Sequence, residues 1–218
     1  LLDEFDKRYG ILLDHKYNFT NVSEAIKVFH DLIFHSQFQL TQCFYSKEFV
    51  DAFSEILLMT QSYETRKYCL EIVGKLWNFV NDCSTPLTDQ NLVESVIHFC
   101  GEINQSEAYF AIANYCAISN ETRNQAVDLK ILGIKYLQHY MKRETVHDHV
   151  YSGLRLSLNI LLHGVDDIWD YVKPLISKFR FHIQSLNEKN RSLAAKCLIL
   201  IAQNSQYIEE CLLQNVHL

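Results

Sequence analysis

Glycine and proline are both scarce in this chain, and their scarcity narrows the fold classes that it can adopt. The 218 residues include 6 glycines and 2 prolines, well below an average usage of roughly 7% and 5%. Sandwiches and barrels of β-strands depend on frequent glycine and proline turns, so these counts argue against an all-β fold. They favour long helices that are joined by short polar corners.

The chain as a whole also lacks an excess of basic over acidic residues. The sequence holds 20 Lys and Arg against 26 Asp and Glu, a net charge of −6 at pH 7. A general nucleic-acid binder usually presents a basic face, so this balance argues against one. The charge is uneven, however: residues 1–122 carry 8 basic and 17 acidic side chains, whereas residues 123–196 carry 12 and 7. Binding of nucleic acid or of an anionic surface through the basic segment 123–196 is therefore an alternative function.

No CxxC pair occurs among the 7 cysteines, and no apolar run approaches the ~18 residues of a membrane-spanning helix. The odd number of cysteines and their apolar surroundings indicate reduced thiols used as small core residues, as in intracellular proteins. We expect a cytoplasmic protein, with the nucleus as the alternative, whose buried thiols include Cys69, Cys116 and Cys197. No signal peptide is evident, and because the chain begins with Leu1 we expect it to be part of a longer protein.

Sequence signatures of catalysis are missing as well. The chain contains no GxGxxG, GxxxxGK[ST] or HExxH motif, and its glycines are too few for a phosphate-cradling loop. Nucleophilic catalysis needs a nucleophile, a base and an orienting group within hydrogen-bond reach, and no local pattern singles out such a set. We predict that the chain is not an enzyme, with no catalytic residues and no cofactor.

The best candidate for a metal site is the histidine-rich segment around residue 148. His147 and His149 form an HxH pair, with His139 upstream and His163 downstream. Such a pair can chelate zinc when a third ligand converges on it. The pair lies in a polar corner, where exposed histidines are ordinary, and we predict no bound metal.

Apolar residues recur at helical spacing along most of the chain. The stretch Lys47–Met59, for example, places apolar residues at steps of three and four, which predicts an amphipathic helix. Residues that cap or break helices predict further helix ends: Ser23 and either Asn120 or Thr122 at helix starts, Gly164 at a helix end, and a kink or a new start near Pro174 within a helix over 168–179.

The strongest helices share a pattern of apolar, any, polar and apolar residues, whose third positions fall at 31, 78, 114 and 159; leucine takes the corresponding place at 200. The average gap is about 42 residues, within the roughly 40–47 of armadillo and HEAT units. We predict one domain over 1–218, with repeats at approximately 23–60, 63–104, 106–142, 148–186 and 189–218.

The chain resembles armadillo-repeat proteins in three segments. The L-x-N-like steps at Leu76–Phe79 and Ile112–Tyr115 carry the resemblance, with a weaker step at Asn159. The segment NRSLAAKCLILIAQNSQYIEECLLQN resembles the third helix of one repeat running into the first helix of the next. The resemblance implies an all-α fold, a right-handed α-solenoid of about five armadillo- or HEAT-like repeats, with a generic helical bundle as the alternative. It also implies a non-catalytic scaffold or adaptor that binds a protein partner along a concave groove.

The same resemblance assigns residues to that groove. The asparagine of the L-x-N step faces the concave surface in armadillo proteins, which selects Asn78, Asn114 and, less directly, Asn159. Trp77 and Asn81 share a helix face, as in the arrays with which importin-α-like carriers hold an extended peptide. Only one such pair occurs, so Trp77 is interpreted either as a core residue or as a shelf for a peptide, and an importin-α-like peptide carrier is an alternative function.

The residues one turn before the asparagine positions of the pattern determine the size, polarity and charge of the predicted groove. It is open near Gly74, aromatic at Phe110 and cationic at Arg155 and Lys196. A partner segment with an apolar anchor followed by acidic residues would complement it. The alternative is that Phe110 belongs to the core and that the two cations only solvate a helix face.

Overall fold

The computed structural model describes most of the chain, and its regular elements there are all helical, as predicted. The residues described are 10–11, 19–35, 46–80, 85–100, 106–128, 147–164, 168–204 and 207–208. The α-helices in this part of the chain are α1 (Phe19–His35), α2 (Lys47–Met59), α3 (Tyr63–Trp77), α4 (Gln90–Cys100), α5 (Ser106–Cys116), α6 (Asn120–Asp128), α7 (His147–Leu161), α8 (Trp169–Val172), α9 (Ile176–His182) and α10 (Glu188–Ala202). Two short 3₁₀ helices span Pro86–Thr88 and Lys173–Leu175.

The helices form two compact units, Leu1–Ile118 and Ser119–Leu218. In the first unit, α1 packs on α3 and α3 packs on α5, so these three helices form one layer. Helices α2 and α4 pack on each other and form a second layer, which contacts α3 and α5. Aromatic and aliphatic side chains fill the space between the helices, and the largest that are fully buried in this unit are Phe29, Phe49, Phe53, Trp77, Phe99, Tyr109 and Tyr115.

Hydroxyl side chains set the starts of the helices α2 and α3. The Ser46 hydroxyl accepts a hydrogen bond from the backbone N–H of Phe49 at 3.1 Å. The Ser62 hydroxyl accepts one from the backbone N–H of Thr65 at 3.2 Å. Each cap satisfies a backbone donor that the first turn of a helix leaves unpaired. The predicted bounds of Lys47–Met59 are confirmed.

Two predicted helix starts are wrong. Ser23 was expected to cap α1, but it lies inside that helix, and its hydroxyl accepts a hydrogen bond from Thr65 Oγ1 at 3.1 Å. Asn120 or Thr122 was expected to cap α6, but Ser119 does so: its hydroxyl accepts from the Thr122 backbone N–H at 3.1 Å. The Thr122 hydroxyl accepts in turn from the Ser119 backbone N–H at 3.1 Å. This reciprocal pairing is a capping box, which satisfies two backbone donors at once.

In the second unit, α7 and α9 both pack against α10. The Asn187 side chain caps α10 by accepting from the Asn190 backbone N–H at 3.2 Å. Gly164 follows α7 with a φ of 121°, a conformation that glycine adopts without strain, and its predicted role at a helix end is confirmed. Pro174 divides the predicted helix over 168–179 into α8, a 3₁₀ turn and α9, because proline cannot donate the hydrogen bond that continues a helix.

Hydrogen bonds between helices repeat at nearly constant sequence separation in both units. The bonded residues lie 40 to 43 positions apart. This spacing agrees with the average of about 42 residues that the sequence pattern gives for one repeat. The bonded pairs are Ser23 with Thr65, Gly74 with Asn114, Arg123 with Gly164, and Leu154 with Cys197.

The cysteines that the structure describes are buried, and none of them forms a disulfide. They are Cys69, Cys100, Cys116 and Cys197. The predicted burial of Cys69, Cys116 and Cys197 is confirmed, since each is fully inaccessible to solvent. Among the described helices, none is both long enough and apolar enough to cross a membrane.

Candidate functional site

Trp77 lies in the core of the first unit, where it cannot form a shelf for a peptide. Only 1% of the residue is exposed, and its ring lies 4.9 Å from that of Tyr115. Its indole Nε1–H donates a hydrogen bond of 2.7 Å to the backbone carbonyl of Leu87. A buried tryptophan needs such an acceptor for its one donor. The expectation that Trp77 lines a partner-binding groove is therefore corrected, while Asn81 lies outside the described residues.

Asn114 and Gly74 join two helices instead of opening a groove between them. Asn114 is 3% exposed, and its Nδ2 donates a hydrogen bond of 2.7 Å to the Gly74 carbonyl oxygen. A Cβ added to Gly74 would lie 3.1 Å from the Cα of Ala111, so the missing side chain is what lets α3 and α5 approach closely. This close approach covers Asn114. The expectations of an open groove at Gly74 and of a partner-facing Asn114 are corrected.

Two other predicted residues of the first unit keep contact with solvent. Asn78 is exposed directly after the end of α3. Phe110 is half-buried on α5, one turn after Glu107 and therefore on the same side of the helix. Neither placement tests whether a partner binds there, and both residues stay candidates.

A ladder of ionisable side chains connects α1, α3 and α5. His30 Nε2 on α1 lies 2.8 Å from Glu71 Oε2 on α3. Lys67, also on α3, places its amine 4.0 Å from Glu71 Oε1 and 4.0 Å from Glu107 Oε1 on α5. The ladder thus places acidic side chains beside basic ones across three neighbouring helices.

Aromatic rings accompany the charged ladder. The His30 ring stacks on Phe34 at a centroid distance of 4.5 Å and lies 4.7 Å from the ring of Tyr68. The amine of Lys75 lies 5.4 Å from the ring centroids of both Phe34 and Phe79, within the range of cation–π attraction. Phe34 remains 41% exposed and Phe79 48% exposed. Rings of this size are normally buried, so their exposure marks a surface that can contact a partner.

Two tyrosines on α3 complete this surface. Tyr68 donates its hydroxyl to Glu64 at 2.9 Å, and this hydrogen bond raises the pKa of the Tyr68 phenol. Partial burial, and then the charge of Glu107, raise the pKa of Tyr63. Both phenols therefore stay protonated and able to donate at neutral pH. We call this surface the α1–α3–α5 face and define it by His30, Phe34, Tyr63, Lys67, Tyr68, Glu71, Lys75, Phe79 and Glu107.

The α1–α3–α5 face is not part of the groove predicted from the sequence, although the repeat period contains a signal for it. His30 and Glu71 are 41 positions apart, and Lys67 and Glu107 are 40 apart. An acidic and a basic side chain separated by one repeat length on long helices predict a contact between neighbouring repeats. The groove predicted above rests on asparagines at this period and not on complementary acids and bases.

The predicted groove residues of the second unit lie on two helices that pack against each other. Arg155 and Asn159 are half-buried on α7, and Lys196 is exposed on α10. A cavity of about 290 Å³ lies between the two helices, and its lining includes Tyr151 and Ser192. Because Arg155 follows Tyr151 by one turn, and Lys196 follows Ser192 by one turn, both cations lie on the helix sides that border this cavity.

The basic segment 123–196 contributes less exposed charge than its composition suggests. Arg123 is 3% exposed, and its guanidinium donates to the carbonyl of Gly164 at 3.3 Å and to Asn124 Oδ1 at 3.0 Å. This arginine serves the packing of the second unit and offers no charge to a phosphate. Residues 129–146 of the segment, and with them His139, lie outside the described residues.

No metal centre is formed by the residues that the structure describes. Within them, no group of three or more His, Cys, Asp or Glu side chains is arranged to hold an ion. His149 and His163 are half-buried there.

Solved structures identify the fold. A designed armadillo repeat protein matches with a TM-score of 0.81 at 14% identity, over 96% of this chain and 87% of that one. The chain has an armadillo-repeat fold. The predicted fold class, an all-α helical solenoid, is thereby confirmed.

Two more solved structures extend this likeness. A designed armadillo repeat protein in complex with the peptide (KR)4 matches with a TM-score of 0.70 at 13% identity, over 88% of this chain and 80% of that one. UNC-45 from Drosophila melanogaster matches with a TM-score of 0.59 at 9% identity, over 95% of this chain and 28% of that one. No family model and no curated protein sequence matches the chain, so the likeness concerns the fold alone.

Proposed function

We propose that this chain is a non-catalytic protein-interaction scaffold that holds an extended segment of a partner protein on its α1–α3–α5 face. The main support for this proposal is the exposure of three aromatic side chains on one side of the first unit: 41% for Phe34, 51% for Tyr63 and 48% for Phe79. Covering such rings removes apolar area from water, which drives most protein association. The scaffold's setting is the cytoplasm, in keeping with the buried cysteines of its described part, which form no disulfide.

The fold supports a protein-binding role of this kind. Armadillo-type repeats present a continuous row of long helices, and in the designed relative a peptide is bound by the same fold. Repeat folds build extended binding surfaces and need no catalytic pocket for their function.

The side chains on the face favour a partner segment with an apolar anchor next to an acidic residue. The amine of Lys75 lies between the rings of Phe34 and Phe79, 5.4 Å from each. An apolar side chain placed on either ring would bring its chain neighbour close to this cation. In the second unit, Arg155 on α7 and Lys196 on α10 are candidates for a separate contact with acidic residues, and Asn159 follows Arg155 by one turn on α7. Asn78 and Phe110 would add contacts in the first unit.

A matched pair of variants tests the proposal. The face variant combines Phe34→Ala, Tyr63→Ala and Phe79→Ala. The control variant truncates to alanine three exposed apolar residues of the second unit, Leu162, Leu186 and Ile199, which are 59%, 98% and 58% exposed. Both variants remove apolar side chains at solvent-facing positions, so circular dichroism should show the same helix content as in the parent chain.

Affinity purification from the source cell, with quantitative mass spectrometry, then compares the two variants with the parent. We expect the face variant to lose at least one partner that the control variant retains. Binding of that partner in solution should weaken by about tenfold or more, because hot-spot aromatic residues each contribute about 1–2 kcal/mol. Retention of every partner by the face variant would show that the partners use another surface.

A further inference from the structure

The corner between α9 and α10 in the second unit exposes three large apolar side chains within six residues. Phe181 is 41% exposed, Ile183 37% and Leu186 98%. A single exposed apolar residue is ordinary on a protein surface, but several close together indicate contact with another molecule. We call residues 181–186 the α9–α10 tip.

Hydrogen bonds hold the backbone of the tip in place. The Ile183 N–H donates to the Phe179 carbonyl at 3.0 Å, and the Ser185 N–H donates to the His182 carbonyl at 3.0 Å. The guanidinium of Arg191 donates from Nη1 to the Ser185 carbonyl, also at 3.0 Å. Because the backbone is already fixed, contact at the tip costs little conformational entropy of the main chain.

Basic residues flank the tip, although the chain as a whole is acidic. Residues 173–196 hold six Lys and Arg against one acidic residue, Glu188, whereas the whole chain has a net charge of −6. Four of these basic residues lie on α9 or in the first turn of α10, and they are Lys178, Arg180, Lys189 and Arg191. Among the described residues, no acidic side chain forms an ion pair with any of these four.

These cations lie a short distance behind the apolar side chains. Lys178 precedes Phe181 by three residues on α9, which is about 4.5 Å along the helix axis and on the same side of the helix. Arg191 reaches the tip itself through its hydrogen bond to Ser185. A bilayer surface has the complementary arrangement, since lipid phosphates lie over an acyl layer that apolar side chains enter to a depth of about 5–10 Å.

The directions of the apolar side chains favour a lipid layer over a protein surface. Ile183 continues the helical backbone conformation of α9. Phe181 and Ile183, two residues apart, therefore project about 200° from each other around the helix axis. A flat protein surface would cover one of the two, whereas a fluid layer can surround both. A nucleic acid would contact the cations and leave the apolar side chains in water.

We propose that the α9–α10 tip attaches the chain to the surface of an anionic lipid bilayer. Phe181, Ile183 and Leu186 enter the interfacial layer, and the four flanking cations contact lipid phosphates. Cytoplasmic leaflets carry anionic lipid, which agrees with the proposed setting of the scaffold. The tip shares no residue with the α1–α3–α5 face, so peripheral membrane attachment is a separate activity of the second unit.

Vesicle co-sedimentation of the whole chain tests the apolar part of the tip. The tip variant combines Phe181→Ala, Ile183→Ala and Leu186→Ala. Its control combines Leu162→Ala with Ile199→Ala, which truncates exposed apolar residues elsewhere in the second unit. Circular dichroism establishes that both variants keep the helix content of the parent.

A second pair of variants tests the basic part. The charge variant combines Lys178→Gln with Lys189→Gln, next to the tip. Its control combines Lys27→Gln with Lys47→Gln, which removes the same charge at exposed positions of the first unit.

At about 50 mM salt, where screening is modest, the parent should bind vesicles of phosphatidylcholine with about 30% phosphatidylserine and not vesicles of phosphatidylcholine alone. The tip variant and the charge variant should each bind about tenfold more weakly or worse, and the two controls should agree with the parent within about twofold. No binding by the parent would overturn the proposal. So would a tip variant that binds as well as its control, because the vesicles would then be held by charge alone.

Tryptophan fluorescence measures insertion directly. The variants are Leu186→Trp at the tip and Leu162→Trp away from it, and the signals of Trp77 and Trp169 are common to both. Addition of the phosphatidylserine vesicles should shift the emission of Leu186→Trp to shorter wavelength and leave that of Leu162→Trp unchanged, because only the first residue enters the apolar layer. Equal shifts, or no shift at position 186, would contradict insertion.

Two further measurements cover the other occupants of the tip. Self-association of the parent that the tip variant abolishes, seen by analytical ultracentrifugation, would assign the tip to a second copy of the chain and overturn the proposal. A duplex oligonucleotide that binds the parent and the tip variant but not the charge variant would assign the cations to nucleic acid, with the same consequence. A monomeric parent that binds only the anionic vesicles would support it. All these variants leave the α1–α3–α5 face unchanged, so their results do not bear on the scaffold proposal.

Discussion

The side-chain amide of Asn114 donates a 2.7 Å hydrogen bond to the backbone carbonyl of Gly74, 40 residues earlier in the chain. The two residues lie on neighbouring long helices of the first unit. An asparagine that the armadillo pattern assigns to partner binding therefore connects one repeat to the next in this protein. Asn114 therefore stabilises the packing of these two helices, and its substitution should lower the stability of the fold.

Substitutions at Asn114 should lower stability in a graded way. Asn114→Ala removes a buried hydrogen bond and should reduce the free energy of unfolding by about 1–2 kcal/mol. Asn114→Asp keeps the shape but sets a buried carboxylate against the Gly74 carbonyl, and should cost about 3 kcal/mol or more at neutral pH. Urea denaturation measures both values. Equal stability of all three proteins would mean that this hydrogen bond is not formed in solution.

Gly74 should tolerate alanine far better than valine. A Cβ at this position would lie 3.1 Å from the Ala111 Cα, so α5 must shift slightly. For alanine, a gain of up to about 1 kcal/mol in helix propensity offsets that strain, and the net change should be small. For valine, overpacking should dominate and cost about 2 kcal/mol or more. Thermal and urea unfolding measure the stability of both variants. Equal stability of the valine and alanine variants would contradict the close approach of α3 and α5.

Trp77 should matter more to stability than the other tryptophan, Trp169. Trp77→Phe removes the donor to the Leu87 carbonyl and leaves a small cavity, for a combined cost of about 2 kcal/mol. Trp169 is half-buried and stacks on Tyr207, so Trp169→Phe keeps an aromatic ring there and should cost less than about 1 kcal/mol. Each variant retains one tryptophan, whose fluorescence follows unfolding. A reversed order of the two costs would count against the core position of Trp77.

The buried thiols should resist alkylation until the chain unfolds. Burial raises the pKa of Cys197 to about 12 and also raises the pKa values of Cys69 and Cys100. An unfolded cysteine has a pKa near 8.5, so at pH 8.5 the folded Cys197 should hold roughly a thousandfold less thiolate. Iodoacetamide labelling followed by mass spectrometry should therefore be slow in buffer and fast in urea at this pH. Rapid labelling of Cys197 in buffer would contradict its burial.

The same pKa shift predicts how stability depends on pH. A raised pKa means that the folded chain keeps its thiol protons where the unfolded chain loses them, so stability is present below about pH 8.5 and falls as the pH rises toward 12. Replacement of Cys197 by alanine should reduce this alkaline loss, whereas its cost at neutral pH comes from lost packing.

The helices and their period could be predicted from the sequence because both leave local signals. Ser46 caps α2, and apolar residues at steps of three and four follow it, so the bounds of that helix are correct. The starts of α1 and α6 were misplaced because several residues that can cap a helix occur nearby. Only the tertiary position of Ser23, against Thr65, shows that its hydroxyl is used between helices.

The proposed binding surface was harder to predict because it depends on the register between neighbouring helices. The orientation of Asn114 follows from how closely α5 approaches Gly74, and the local sequence of α5 does not specify that distance. The charged ladder also joins residues a full repeat apart, such as His30 and Glu71. Residues on one helix are related by its pitch, but residues on two helices are related only by how those helices pack.

Photo-crosslinking tests the scaffold proposal most directly. A benzophenone amino acid replaces Tyr63 or Phe79 on the α1–α3–α5 face, or Leu186 in the second unit as a control with 98% exposure. Irradiation is carried out with the partner that the face variant loses in affinity purification. We predict crosslinks to one short segment of that partner from both face positions and none from position 186. Crosslinks of equal yield from all three positions, or none from the two face positions, would contradict a docking site on the α1–α3–α5 face.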